Sequence, residues 1–382
     1  MCARKFTEEE LARDIWPRFA RVRARPGIYL ANHSLGRPPD RMADDVAGAV
    51  DAWYRDMDAA WDHWLDARER FRALVARLVG VPDPSCIVPR ASAGQGLRAV
   101  LNALPGRPRV LTSVGEFDSI AFILTSYRDQ GRIELAMRPW LELPGAGADL
   151  LVLSSVMFES GEIVADLPRL IATAHAQGTR VLLDVYHHAG VLPLDLAALD
   201  ADFAVGGCYK YLRGGPGAGW LYVRPEFADA LHTLDAGWFA KANLFDWDRR
   251  ATPRRAPGGD GWLEATPAVL AWFQALAGLE FTLEAGVARL RAHNLAQKAR
   301  LADLLAQKGV TAAGAGEEAG AFLTVSDPAA ARLATEMRAR GVVCDARGQH
   351  LRLGPDLLNT DAELVRAAAA LGEILAQAAS GG

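Results

Sequence analysis

The sequence has few cysteines and lacks long apolar runs. Its four cysteines lie far apart in 382 residues with no C-x-x-C pair, so neither a disulfide framework nor a metal site is indicated. We expect these thiols to be reduced and mostly buried. No run of about 18 apolar residues spans a membrane, and the N-terminal segment MCARKFTEEELARDIW lacks the apolar core of a signal peptide. We therefore expect a cytoplasmic protein with no membrane segment.

Runs of like charge are also missing. The formal net charge is −4, and no cluster of basic residues offers a surface for nucleic acid or for an anionic membrane. Hydrophobic residues make up 51% of the chain and charged residues 23%, which is typical of a globular protein with a sizeable core. The expected partner is a small molecule or a second copy of the chain.

Short apolar runs alternate with helical spacers in the middle of the chain. This alternation favours βαβ units and a mainly parallel sheet with helices on both faces, an α/β fold. The predicted strands are PRVLTS (108–113), DLLVLSSVMF (149–158), TRVLLDV (179–185), ADFAVGGC (201–208) and GWLYV (219–223). A long helical pattern precedes them, from Val46 to Gly80.

The pattern changes near residue 265. Residues 267–309 predict two helices broken near Gly286, and they are followed by a strand (AGAFLTVS), a helix, an extended segment and a closing helix from Asp361. That order is typical of an α+β domain. We predict three parts: an N-terminal arm over residues 1–45, a large α/β domain over 46–265 and a small α+β domain over 266–382.

Two polar residues stand where predicted strands end. Asp184 closes the run RVLLD, and Lys210 follows the next run after a tyrosine. In open α/β sheets, ligands bind outside the carboxyl ends of the strands. A lysine and a carboxylate at neighbouring strand ends suit a pyridoxal phosphate enzyme, because the lysine bonds to the cofactor aldehyde and the carboxylate keeps the pyridine nitrogen protonated.

Several motifs resemble class V aminotransferases of fold type I and, among them, the kynureninases. The family pattern D-x-x-H-x-x-G matches Asp184, His187 and Gly190, and CYKYLRGGPG (208–217) matches the segment around the family's lysine. Similar segments run along about nine-tenths of the chain. They are IYLANHSLGRPP, GEFDS, SVMFESGEI, GWFA, GWLEATPAVL and VVCDARGQHLRLGPDLLNT.

The resemblance implies a pyridoxal 5′-phosphate enzyme whose large domain binds the cofactor. Lys210 would be the catalytic lysine, and Tyr209 would contact the phosphate and exchange a proton near the substrate. Phe117 would stack on the cofactor ring, with His187 beside it. The phosphate would bind ASAGQG (91–96). There the family's threonine is replaced by Gly94, so the backbone amides of Ala93 and Gly94, together with Gln95, would bind it.

The resemblance also implies a shared site and a substrate. Trp238 and Thr266 match positions that reach the phosphate of a neighbouring subunit, which predicts a homodimer with shared active sites. Arg352 is the expected ligand of the substrate carboxylate, since its planar fork suits a bidentate contact. Ser34 and Trp61 match segments near the aromatic substrate.

The implied activity is hydrolysis of a carbon-carbon bond. A kynureninase-like enzyme of tryptophan catabolism cleaves the Cβ–Cγ bond of kynurenine or a related β-acyl amino acid into an aromatic acid and alanine. The chain departs from the pattern at Ala31, where an acid is lost, and at Leu263, where an arginine is usual.

Three alternatives stay open: transamination, cysteine desulfuration, or a catalytically silent dimeric binding module. A desulfurase needs an exposed thiol of lowered pKa. Cys344 lies close to Arg352 in sequence, but its segment is typical of a strand, so we expect that thiol to be buried.

Overall fold

The structure is a computed structural model that describes residues 3–143, 147–244 and 254–380. Its strands are β1 (Ile28–Tyr29), β2 (Ile87–Arg90), β3 (Arg109–Ser113), β4 (Glu134–Arg138), β5 (Leu150–Ser154), β6 (Arg180–Asp184), β7 (Phe203–Gly207), β8 (Gly219–Val223), β9 (Leu323–Ser326), β10 (Val342–Val343), β11 (Asp345–Arg347) and β12 (His350–Leu353). Its α-helices are α1 (Glu8–Glu10), α2 (Ala20–Arg23), α3 (Arg41–Asp56), α4 (Ala60–Leu78), α5 (Ala93–Leu101), α6 (Asp118–Asp129), α7 (Leu167–His175), α8 (Pro225–Ala228), α9 (Val269–Ala285), α10 (Val287–Ala306), α11 (Ala330–Ala339) and α12 (Asp361–Ser380). Among the described residues, no helix combines the length and the apolar composition that crossing a bilayer requires.

A seven-stranded sheet organises the large domain, in the order β2-β8-β7-β6-β5-β3-β4. Six strands run in one direction, and β8 is antiparallel to both of its neighbours. The five predicted strands are confirmed, with shorter ends. The sequence did not predict β2, which is four residues long and contains Pro89, or β4, whose side chains are mostly exposed.

Alternate residues of the central strands face two separate cores. In β5, Leu151 and Leu153 join the core beneath α3, α4, α7 and α9, whereas Leu150 and Val152 join the core beneath α5 and α6. This follows from the pleat, which points successive side chains to opposite faces. The strands therefore consist of continuous apolar runs, as the sequence predicted.

The long helical pattern before the sheet forms two helices instead of one. Met57 adopts a positive φ of 51°, which ends α3, and a short 3₁₀ turn leads into α4. The break predicted near Gly286 is confirmed, because that glycine has a φ of 80° and separates α9 from α10.

The smaller domain is built on the antiparallel sheet β11-β12-β9. Helices α10, α11 and α12 cover it, and the N-terminal arm joins it through the parallel pair of β1 with β10. Helix α9 packs instead on the large domain, where Trp272, Phe273 and Leu276 belong to its core. This packing favours a boundary near Gly286 over the predicted boundary at residue 265.

Gly207 leaves space for the ring of Tyr186 at the end of β7. A Cβ atom at position 207 would lie 2.0 Å from Tyr186 Oη and 2.3 Å from its Cζ. We expect Gly207→Ala to lower the free energy of unfolding by about 1–3 kcal/mol, because the half-buried ring of Tyr186 has to move. Denaturant unfolding measures this change.

The matched control is Gly48→Ala. Gly48 is exposed on α3, and a Cβ atom there meets nothing within 4 Å. This substitution should raise stability by about 0.5–1 kcal/mol, because alanine loses less backbone entropy in a helix. Equal effects of the two substitutions would contradict the steric argument.

Candidate active site

A cavity of about 400 Å³ opens at the carboxyl ends of the central strands. Asp184 ends β6 and lies in register with Ser154 at the end of β5, while Lys210 follows the end of β7. The structure brings seven of the predicted cofactor residues to this cavity: Ala93, Gly94, Phe117, Asp184, His187, Tyr209 and Lys210. These residues meet at the predicted strand ends, and their roles in binding the cofactor stay predictions.

The amine of Lys210 is buried among rings. Its Nζ lies 2.7 Å from His187 Nε2 and 4.9, 5.3 and 5.6 Å from the ring centres of Tyr186, Phe117 and Tyr209. Burial lowers the pKa of Lys210 to about 7. The amine is therefore able to accept a proton near neutral pH.

His187 is held as a neutral ring. Burial lowers its pKa well below the usual value, and the positive charge of Lys210 acts in the same direction. Its Nδ1 lies 3.2 Å from the hydroxyl of Tyr211, so Nε2 is left to accept a hydrogen bond from the Lys210 amine. Tyr209 keeps its proton as well, because burial raises the pKa of its hydroxyl.

Asp184 is a buried carboxylate with room for a cation. The backbone N–H of Tyr186 donates to Asp184 Oδ1 at 2.8 Å, and burial raises the pKa of the carboxyl. A second buried carboxyl, Glu116, accepts from the N–H and the hydroxyl of Ser154, and burial raises its pKa to about 7. A protonated pyridine nitrogen would supply the positive charge that Asp184 needs to stay ionised.

The first turn of α5 borders the cavity where a phosphate would bind. The first N–H groups of a helix have no partner within the helix and favour an anion. Gln95 contributes differently from the prediction: its Oε1 accepts from the N–H of Ala91, and the residue lines an adjoining cleft together with Thr266. Ala93 and Gly94 thus border the cavity, and Gln95 lies beside it.

Three other predicted residues also lie away from the cavity of their own chain. The indole N–H of Trp238 donates to Thr266 Oγ1 at 3.3 Å, next to the cleft that contains Thr266. Trp61 packs edge-on against Trp64 at 5.3 Å and also contacts Phe239. The roles of Trp238 and Thr266 at a partner's phosphate, and of Trp61 at the substrate, stay predictions.

Arg352 is paired with a carboxylate of its own chain. Its Nε and Nη2 donate to the two oxygens of Asp345 at 2.9 and 2.7 Å. The same carboxylate lies 2.7 Å from His33 Nε2 and accepts from the hydroxyl of Ser34. Burial alone would raise the pKa of Asp345, but the hydrogen bonds from His33 and Arg352 hold it well below its usual range. Ser34 therefore contacts the carboxylate that orients Arg352.

The guanidinium of Arg352 still has unused donors. It carries five N–H bonds, of which two go to Asp345 and one goes from Nη1 to the carbonyl of Phe158. One N–H bond on each terminal nitrogen is left for a second acceptor such as a carboxylate. The bond to Phe158 links this group to the cavity wall, where Phe158 packs edge-on against Phe117 at 5.4 Å.

The cysteines that the structure describes are all buried. They are Cys86, Cys208 and Cys344, as expected from the sequence, whereas Cys2 lies outside the described residues. Burial raises the pKa of the Cys344 thiol to about 12 and that of Cys86 to about 11. None of these three is an exposed thiol of lowered pKa.

Sequence reasoning missed Tyr186, Asp345 and His33 as parts of the site. A signal for Asp345 was present: Gly348 and Gln349 form a two-residue turn, with a φ of 52° at Gly348, which places Asp345 directly opposite Arg352. The ring of Tyr186 gave no such signal, because its position depends on the space above Gly207.

Comparison with known proteins agrees with this geometry. The aminotransferase class V family profile matches residues 52–352. A kynureninase of Pseudomonas fluorescens is 28% identical over 91% of this chain and 89% of its own length. A kynureninase of Deinococcus radiodurans is 29% identical over 70% and 68%, and the uncharacterized aminotransferase YcbU of Bacillus subtilis is 28% identical over 85% and 89%.

Solved structures support the fold. The cystine C–S lyase C-DES, in complex with cysteine persulfide, superimposes with a TM-score of 0.82 at 19% identity, covering 93% of this chain and 99% of that one. A cysteine desulfurase of Thermococcus onnurineus gives a TM-score of 0.80 at 17% identity, covering 98% and 100%.

The cavity fits the cofactor of this family, pyridoxal 5′-phosphate. Lys210 would bind its aldehyde, Asp184 its ring nitrogen and the first turn of α5 its phosphate, with aromatic rings beside the amine. The family match, the fold and the site agree, so the chain belongs to the class V aminotransferase family of pyridoxal phosphate-dependent enzymes.

Proposed function

We propose that the protein is a kynureninase-like hydrolase that cleaves the Cβ–Cγ bond of kynurenine or a related β-acyl amino acid, giving an aromatic acid and alanine. The observation that carries this proposal is the similarity to kynureninases over nine-tenths of the chain. Lys210 and Asp184 line one cavity, and Arg352 lies near enough for its charge to act on the Lys210 amine. The tryptophan catabolic pathway is the corresponding metabolic context.

The bound cofactor supplies the electron sink that lets a proton leave the substrate's α-carbon. The chain supplies the groups that hold and move protons. Lys210 accepts the α-proton at Nζ, because its lowered pKa leaves the amine partly neutral at pH 7. Tyr209 keeps its hydroxyl proton and donates it to the substrate. The unused edge of Arg352 binds the α-carboxylate, while Asp345 fixes the orientation of its fork.

The second candidate is transamination, favoured by the similarity to YcbU. It would use the same lysine, carboxylate and arginine, so these residues do not separate the two reactions. Desulfuration through a protein thiol is less favoured, because Cys344 is buried and its pKa is raised. A silent binding module would not need a buried amine whose pKa lies near 7.

The active unit that we propose is a homodimer in the cytosol. Trp238 and Thr266 are joined by a hydrogen bond and lie away from the cofactor cavity of their own chain. Both match family positions that reach a neighbouring subunit's phosphate, so each site would be completed by the partner. Symmetric dimers are also the commonest oligomers.

A set of candidate substrates tests which reaction the protein catalyses. We expect the purified protein to be yellow and to release anthranilate and alanine from kynurenine, or the hydroxylated acid from 3-hydroxykynurenine. Anthranilate fluorescence and an alanine assay measure these products, with other amino acids as comparison. Keto acid in place of alanine would favour the aminotransferase, sulfide from cysteine the desulfurase, and absence of turnover with either kynurenine would rule out this substrate class.

The lysine amine should titrate near neutral pH. Its pKa is lowered from about 10.4 for a free lysine, so the neutral fraction rises as pH passes 7. The rate at which the protein freed of cofactor bonds covalently to pyridoxal should therefore rise with an inflection near pH 7. Absorbance measures the rate, and borohydride followed by mass spectrometry locates the bond on Lys210. Nα-acetyl-lysine, whose side-chain amine is free, is measured in parallel and should show its inflection near pH 10. An inflection near pH 10 in the protein would contradict the lowered pKa.

Arg352→Lys keeps the charge and removes the planar fork. The substrate carboxylate loses a bidentate contact, so we expect kcat/KM for kynurenine to fall about 10- to 100-fold, mainly through KM. Steady-state kinetics measure both constants. The control is Arg347→Lys, because Arg347 is half exposed and its Nη1 lies 3.8 Å from Asp345. Similar losses in the two variants would show that the loss is not specific to the fork of Arg352 and would contradict its role as the carboxylate ligand.

A further inference from the structure

The phosphate end of the cavity lacks the side chain that the family places there. The resemblance to the family predicts a threonine at position 94, where this chain has a glycine, and a Cβ atom there would lie 2.8 Å from Ile123 Cδ1. A larger residue at position 94 would therefore require the end of the Ile123 side chain to shift. The side chain of Gln95, the next candidate, is held back toward Ala91, whose N–H donates to its Oε1, and the residue lines the adjoining cleft instead of the cavity. Without another ligand, only uncharged hydrogen-bond donors would then bind the cofactor phosphate, which is a dianion.

An arginine fills the space above this glycine. Arg98 lies one turn further along α5, on the same face as Gly94, and helical side chains lean toward the N-terminus of their helix. Its Nη1 lies 3.8 Å from the point that a Cβ atom of residue 94 would occupy, and Ser92 Oγ lies 3.8 Å from the same point. The guanidinium thus lies over the first turn of the helix and lines the cavity.

Arg98 has no counter-charge. Its side chain is half-buried, and among residues 3–143, 147–244 and 254–380 it neither pairs with a carboxylate nor donates a hydrogen bond. Three buried arginines differ from it: Arg72 pairs with Asp260, Arg213 with Asp356, and Arg291 donates to backbone carbonyls. An unpaired guanidinium beside free helix amides is a strong site for a phosphate.

We propose that Arg98 is a ligand of the cofactor phosphate and supplies a positive charge and hydrogen bonds where a threonine hydroxyl would supply a single uncharged donor. Gly94, Ile123 and Arg98 lie together in this arrangement: the end of Ile123 lies beside the glycine, and the guanidinium of Arg98 lies next to the position that a side chain of residue 94 would take. This inference depends on the cofactor and is independent of the reaction proposed above.

The test compares pyridoxal 5′-phosphate with pyridoxal, which lacks the phosphate. Both are titrated into the dimeric protein freed of cofactor, and absorbance gives the two dissociation constants. In Arg98→Gln we expect the affinity for pyridoxal 5′-phosphate to fall about 10- to 100-fold while the affinity for pyridoxal stays unchanged. Arg98→Lys, which keeps the charge without the fork, should lie between the wild type and Arg98→Gln. Inorganic phosphate should also compete more weakly with the cofactor in Arg98→Gln.

The control variant is Arg128→Gln, which removes an exposed arginine from the other helix flanking the cavity, where it is paired with Asp129. It should change neither constant. Equal weakening of pyridoxal and of its phosphate in Arg98→Gln would mean that Arg98 only supports the fold, and that result would overturn the proposal. Unchanged affinity for both would overturn it too. Because the readout is equilibrium binding, a failed substrate assay does not affect the outcome.

Discussion

The burial of one amine constrains nearly everything around it. Lys210 carries its Nζ into a space bounded by three aromatic rings and a neutral imidazole, where an uncompensated charge is costly. Rings with a negative face can share that space with an ammonium, and they can equally accept a flat heterocycle. Burial among these rings lowers the pKa of the amine, and the flat ring surfaces suit the cofactor. The backbone also packs closely here, because Gly36 lies so near the carbonyl of Lys210 that no side chain fits between them.

Asp345 and Arg352 connect parts of the chain that are remote in sequence. The carboxylate receives groups from the N-terminal arm, and the guanidinium reaches a backbone carbonyl of the large domain, so arm, small domain and large domain meet at one ion pair. A buried pair of this kind adds little net stability, because desolvation offsets much of the attraction. The pair instead orients Arg352, because the hydrogen bonds to Asp345 along one edge of the guanidinium fix the direction of its other edge.

The sequence predicted where the site lies, but it did not predict all of the residues that form it. Asp184 and Lys210 were predictable because strand ends in a parallel sheet gather at one edge, and that rule needs only apolar runs and their limits. The strands β2 and β4 were missed because one contains a proline and the other is exposed, so neither carries the pattern of a buried strand. The position of Gln95 was also beyond the sequence, since its amide competes locally for the backbone of Ala91. Whether such a side chain bonds to the backbone or to a ligand depends on small differences in atomic position, which the residue types alone do not specify.

The reversed strand β8 has a consequence for how the site forms. Because β7 and β8 are antiparallel, residues 208–218 close a short loop, and the segment that bears Lys210 belongs to the most local pairing of the large sheet. Parallel partners such as β5 and β6 need a crossover helix between them, and β2 joins β8 from far away in sequence. Short loops close at a lower entropic cost and therefore sooner. The order of assembly during folding would then place the lysine's hairpin ahead of the strand that carries Asp184, so that the cofactor pocket closes around a lysine segment already formed.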